Sequence, residues 1–161
     1  MNTYIKTFTS LPVDFLILGA LFALVMFLAL KQGKSYLVAG IISLYIASFF
    51  FLNLPFTKVL TATIKGSSNI FWINSGIFLI FYVPVYFAIS QITLTDFGNG
   101  AMKYVRASVL SISFIGLFLS IFYHLIPIES VYNFSPSIDS IFAPDMAFNF
   151  WLLIPLVVLF I

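Results

Sequence analysis

Charged side chains are almost missing from four long stretches of this chain, residues 11–30, 36–54, 70–92 and 105–126. No other feature narrows the fold as much. A helix rises about 1.5 Å per residue, so about 20 consecutive apolar residues match the ~30 Å hydrocarbon core of a bilayer. Inside that core every backbone N–H and C=O must find its partner within the protein, which only helices and closed barrels achieve. Barrel strands alternate apolar and polar residues over about ten positions, and these runs do not alternate. Composition agrees: 62% of the residues are hydrophobic and 7% charged, where a soluble domain carries about 25% charged residues to face water. The chain therefore reads as all-α, a polytopic membrane helical bundle with four transmembrane helices in a single integral membrane domain, 1–161.

The tail 146–161 is also apolar, but its sixteen residues reach only about 24 Å and include Pro155. It reads as a short fifth hydrophobic helix, equally compatible with a thin span, a re-entrant segment or an interfacial one. Ser10 and Pro12 suit the N-cap and first turn of the first span. Pro55 and Pro127 stop the second and fourth spans, and Pro84 is expected to kink the third. Residues 56–65 read as an amphipathic connector, with Phe56, Val59, Leu60 and Ile64 at helical spacing and Lys58 and Lys65 available to headgroups. Residues 133–145, with Ser135, Pro136, Ser137 and Pro144, read as a loop. No small-residue cleavage site follows the first apolar run, which marks it as a retained span rather than a signal peptide.

Orientation follows the Lys/Arg balance of short loops. Lys31, Lys34, Lys103 and Arg106 share one side and Lys6, Lys58 and Lys65 the other, four against three. The expectation is an N-terminus outside, with Lys34 and Lys103 in the cytoplasm and Lys65 and Asp139 outside.

Several function classes lack their chemistry. The net charge of +2 and the absence of a basic run give nothing to track a nucleic-acid backbone. Zero cysteines exclude disulfides, thiolate metal sites and cysteine nucleophiles. Asp96-Phe97-Gly98 matches the magnesium-binding letters of a protein kinase, but no glycine-rich loop, strand lysine or catalytic loop accompanies it. The residues after Gly98, N-G-A-M-K-Y, do not make a Walker loop. Gly98-Asn99-Gly100 instead permits the positive φ of a tight reversal, with Lys103 and Arg106 holding the next helix start at the headgroups.

No Asp, Glu, Lys or Arg lies well inside a span. Asp14 sits in the first turn of span one, where the helix dipole favours a carboxylate. His124 shares a face of span four with Ser113, Gly116 and Ser120, a face expected to look into the bundle. It is either a proton-handling or ligand histidine, or a neutral imidazole hydrogen-bonded near the interface; as the one histidine it completes no metal site, and the structural reading is preferred. Ala39, Ser43 and Ala47 in span two, and Gly19 with Ala23 in span one, form small-residue stripes suited either to internal seams or to dimer faces. Asn74 and Gln91, near the ends of span three, are expected to meet water or headgroups. The expectation is no enzyme, cofactor or metal; the partners are the lipid bilayer and other membrane proteins or a second copy, with no nucleic acid.

Asp14 opening the first span, the turn Lys31-Gln32-Gly33-Lys34, and the Gly- and Arg-containing approach from Asp96 to Arg106 give residues 11–127 a layout that resembles the colicin V production protein family of small bacterial inner-membrane proteins. Phe97 follows Asp96 where that family has an acid–arginine pair. The resemblance implies a four-helix protein of the bacterial inner membrane, needed for toxin export or envelope homeostasis, with no catalytic residues to carry over. The other reading of the chain is a small transporter or channel subunit.

Overall fold

The computed structural model describes residues 13–55, 57, 59, 70–93, 100–126 and 132–160. Among the described residues there are six helices: α1 (Val13–Gln32), α2 (Lys34–Asn53), α3 (Ile70–Ile92), α4 (Met102–Leu125), α5 (Pro136–Phe142) and α6 (Asp145–Val158). The first four are long and apolar enough to cross a membrane. The architecture is that of an all-helical, multi-pass membrane protein.

One residue separates α1 from α2. Gly33 adopts φ 91°, a left-handed conformation that glycine enters without steric cost, and its N–H closes α1 on the Ala29 carbonyl at 2.8 Å. Gly100, at φ 89°, precedes α4 in the same way, as expected of a reversal there. Asp96 to Asn99 lie outside the described residues, as do Ser10, Pro12, Pro127 and all of 56–65 except Thr57 and Val59. Thr57 is buried and Val59 exposed.

α2 and α4 are the central helices. α2 packs on α3 most extensively and on α4 and α1; α4 packs also on α6, α1 and α5. The Ala39–Ser43–Ala47 stripe of α2 is fully buried, which makes it an internal seam. Its serine hides its hydroxyl by donating to the Ala39 carbonyl at 2.6 Å, the local bond that lets a polar side chain sit in an apolar contact. Gly40 lies on the same approach: a Cβ there would come within 2.9 Å of the Phe114 ring. Phe78, 2% exposed, joins three helices, with its ring centroid 6.2 Å from Phe51 of α2 and 6.3 Å from Phe122 of α4. Such aromatic pairs are worth about 0.5–1.5 kcal/mol each beyond the area they bury. Gly19 and Ala23 of α1, in contrast, are exposed.

Two expectations are corrected. Residues 133–145 are not all loop, because α5 occupies Pro136–Phe142. Ser-Pro acts here as a helix start: Ser135 takes an extended N-cap conformation and Pro136 the first helical position, where its missing N–H costs nothing. Ile138 and Phe142, four residues apart, then bury one face of the turn. Asn74 is also not open to water; it is 6% exposed, on the same face of α3 as buried Phe78 four residues on, while Gln91 is exposed.

The apolar tail forms α6, fourteen residues with Pro155 inside. At about 21 Å it is shorter than a bilayer core, and it meets α5 at a bend of 65°. The two together have the length and composition of a fifth span, but as a bent pair rather than one straight helix.

Charge is segregated. Among the described residues Lys31, Lys34, Lys103 and Arg106 lie at one end of the bundle, and Asp14, Asp139 and Asp145 at the other. With Lys6, Lys58 and Lys65 outside the described residues, the positive-inside expectation still rests on four basic residues against three, and it puts the end with Lys34 and Lys103 in the cytoplasm. Single cysteines replacing Lys34 or Lys103 are therefore expected to resist an impermeant thiol reagent in intact cells, and one replacing exposed Ser137 to react. The reverse pattern would invert the orientation.

Candidate functional site

Polar side chains collect at the acidic end, where residues 132–145 pack on the ends of α1 and α4. Asp14 is the centre of this cap. The carboxylate is 5% exposed and uses both oxygens: Oδ1 accepts the Tyr132 hydroxyl at 2.5 Å and Oδ2 the Ser135 backbone N–H at 2.6 Å. The bond to Asp14 pushes the Tyr132 phenol above its usual range, with burial and the nearby negative charge adding to it, so Tyr132 stays a donor. Asp14 thus pins α1 to the start of α5, and its role goes well beyond favouring its own helix dipole.

A second clasp joins α4 to α5. The Tyr123 hydroxyl donates to Asp139 Oδ1 at 2.7 Å. Its ring stacks on Phe142 at 6.1 Å and lies 5.7 Å from Phe134, which in turn meets Tyr132 edge-on at 4.8 Å. The carboxylates are therefore held above a collar of aromatic rings.

His124 lies on the neighbouring α4–α6 contact. Nδ1 is 3.0 Å from the Ser120 carbonyl; a carbonyl only accepts, so Nδ1 carries the proton. Nε2 is buried with no hydrogen-bond partner, 3.6 Å from Asp145 Oδ1, and the ring stacks on Phe148 at 4.3 Å. Ser113, Gly116 and Ser120 are buried as expected of this face, and α6 is what covers it. Gly116 is the seat of Trp151, whose indole also stacks on Phe142 at 5.3 Å and donates from Nε1 to the Ile141 carbonyl at 3.3 Å. Higher up, the Tyr45 hydroxyl of α2 donates to the Leu152 carbonyl.

Sequence reasoning singled out Asp14 and His124 and missed Tyr132, Ser135, Asp139, Asp145 and Trp151. Each missed residue works through a partner on another element, which no local pattern announces. Among the described residues, no three His, Cys, Asp or Glu side chains come together as a metal site. A histidine that holds a helix contact tolerates an amide. His124→Gln is expected to insert and accumulate at the wild-type level in membrane fractions, and loss of the protein on immunoblots would contradict this.

Compared with protein-family models, with curated proteins and with solved structures, the chain matches none.

Proposed function

We propose that this chain is a non-enzymatic membrane protein of the bacterial inner membrane that supports an export or envelope system by binding protein partners, as its resemblance to the colicin V production family implies. One observation carries this reading. Two of the three described carboxylates of the acidic end are committed to internal contacts, Asp14 to Tyr132 and Ser135 and Asp139 to Tyr123, and the third, Asp145, is exposed at the helix end beside His124, so they fasten helices together or face outward rather than stand against a nucleophile or line a path at mid-membrane. Ion-coupled transport relies on ionisable groups within the membrane. What the bundle offers outward instead is broad apolar surface on α1 and α3, including Leu24, Phe27, Trp72 and Ile80.

A photoreactive amino acid at Leu24 or Ile80, activated in intact cells, is expected to yield a discrete cross-linked product of defined mass. Co-expression of two differently tagged copies separates self-association from a second protein. Purified protein in liposomes is expected to pass no ion or solute above empty vesicles. A saturable flux in that preparation would replace the partner reading with a small transporter or channel subunit.

A further inference from the structure

We infer that a groove between α1 and α4 holds one acyl chain of an amine-headed zwitterionic lipid from the leaflet at the acidic end. The two helices touch near the basic end, where Ser108 meets Met26 at 3.7 Å. Toward the acidic end they leave a cavity of about 340 Å³ between them, open along one side. Its walls are residues at i, i+3, i+4 and i+7 from Phe15 to Phe22 on α1 and from Ile112 to Leu119 on α4, with Phe142 and Trp151 completing it.

Three features select the occupant. The lining is apolar throughout, so water gains no hydrogen bonds there, and an empty groove would forfeit dispersion contacts on every wall. Seven residues of helix run about 10 Å, roughly two thirds of the ~15 Å of hydrocarbon in a single leaflet. The groove begins at Phe15, next to Asp14 in the cap, and ends near mid-membrane; that is the depth range of one lipid tail whose headgroup rests at the acidic end. Charge complementarity selects the headgroup. Phe142 of the groove lies three residues from both Asp139 and Asp145, the latter fully exposed, and these are the charges the described residues bring to the mouth of the groove; Lys6, Lys58 and Lys65, which the loop count puts on the same side, lie outside the described residues. An ammonium is favoured beside these carboxylates and an anionic headgroup is disfavoured.

Gly19 supplies the test. A Cβ at Gly19 meets nothing within 4 Å, and the same holds for Gly76 on α3, which is not part of the groove. Gly19→Leu therefore projects a side chain into the groove from an open Cβ position, and Gly76→Leu is the matched control. The full chain is reconstituted in phosphatidylcholine vesicles doped with either phosphatidylethanolamine or phosphatidylglycerol, the doped lipid carrying a diazirine in one acyl chain. Photolabelling of peptides containing 15–22 and 112–119 is expected to exceed that of the lipid-exposed Ile80 peptide several-fold with phosphatidylethanolamine, and to be weaker with phosphatidylglycerol. Gly19→Leu should remove most of the excess and Gly76→Leu none. Native mass spectrometry of the wild-type chain from mild detergent should retain phosphatidylethanolamine in preference to phosphatidylglycerol. Groove labelling no higher than at Ile80, labelling that survives Gly19→Leu, or preference for phosphatidylglycerol in either measurement would overturn the inference.

Discussion

Gly116→Ala is expected to loosen α6 from the bundle and to lower thermal stability more than any other single methyl group added to these helices. A Cβ at position 116 would lie 1.9, 2.1 and 2.6 Å from three carbons of the Trp151 indole, well inside van der Waals contact, so the ring must move. It has little freedom to do so, being stacked on Phe142 and hydrogen-bonded to the Ile141 carbonyl. Overpacking a close contact costs about 1–3 kcal/mol, and losing the Phe142 stack adds about 0.5–1.5 kcal/mol. The measurement is thermal unfolding in detergent, paired with the rate of protease cleavage between α5 and α6. A smaller side chain should relieve the clash, so Trp151→Leu combined with Gly116→Ala is expected to lose less than the sum of the two single changes. Strict additivity, or a Gly116→Ala protein as stable as wild type, would show that α6 does not depend on this seat.

The second large effect is expected at Asp14. Asp14→Ala leaves the N–H of half-buried Ser135 and the hydroxyl of exposed Tyr132 without their shared acceptor, and a donor that stays shielded without its partner loses its hydration without compensation. The segment from Tyr132 into α5 should then come away from α1, since this carboxylate is its link to the first helix. Limited proteolysis is expected to cut near 132–137 faster than in wild type, with α1 to α4 still inserted. Tyr132→Phe removes one of the two bonds and should fall in between. In a double-mutant cycle Asp14→Ala and Tyr132→Phe should be non-additive, because each deletes the same contact. Independent effects, or unchanged cleavage, would show that the cap is held elsewhere.

These two contacts mark where reading the chain stops being sufficient. Spans read at 11–30, 36–54, 70–92 and 105–126 correspond to α1, α2, α3 and α4 at Val13–Gln32, Lys34–Asn53, Ile70–Ile92 and Met102–Leu125. That much is local. Bilayer thickness sets the length, each residue adds its own transfer free energy, and the backbone must bond within its own helix, so a run of apolar letters suffices. The reversals at Gly33 and Gly100 were legible for the same reason, since a positive φ depends on a residue's own missing Cβ.

Tertiary structure decided the rest. The stripes Ala39–Ser43–Ala47 and Gly19–Ala23 look alike in sequence, yet one is buried between helices and the other is exposed, with Gly19 opening onto the α1–α4 groove. Asp14 is bonded to residues 118 and 121 positions away, and Gly116 is shaped to an indole on another helix. Ser135-Pro136 reads as a break until the burial of Ile138 and Phe142 makes it the start of α5. Hydropathy sums along a single helix and therefore fixes which segments enter the membrane. Which faces then meet depends on side-chain shapes and donor–acceptor geometry across elements distant in the chain, and those distances exist only once the helices have packed.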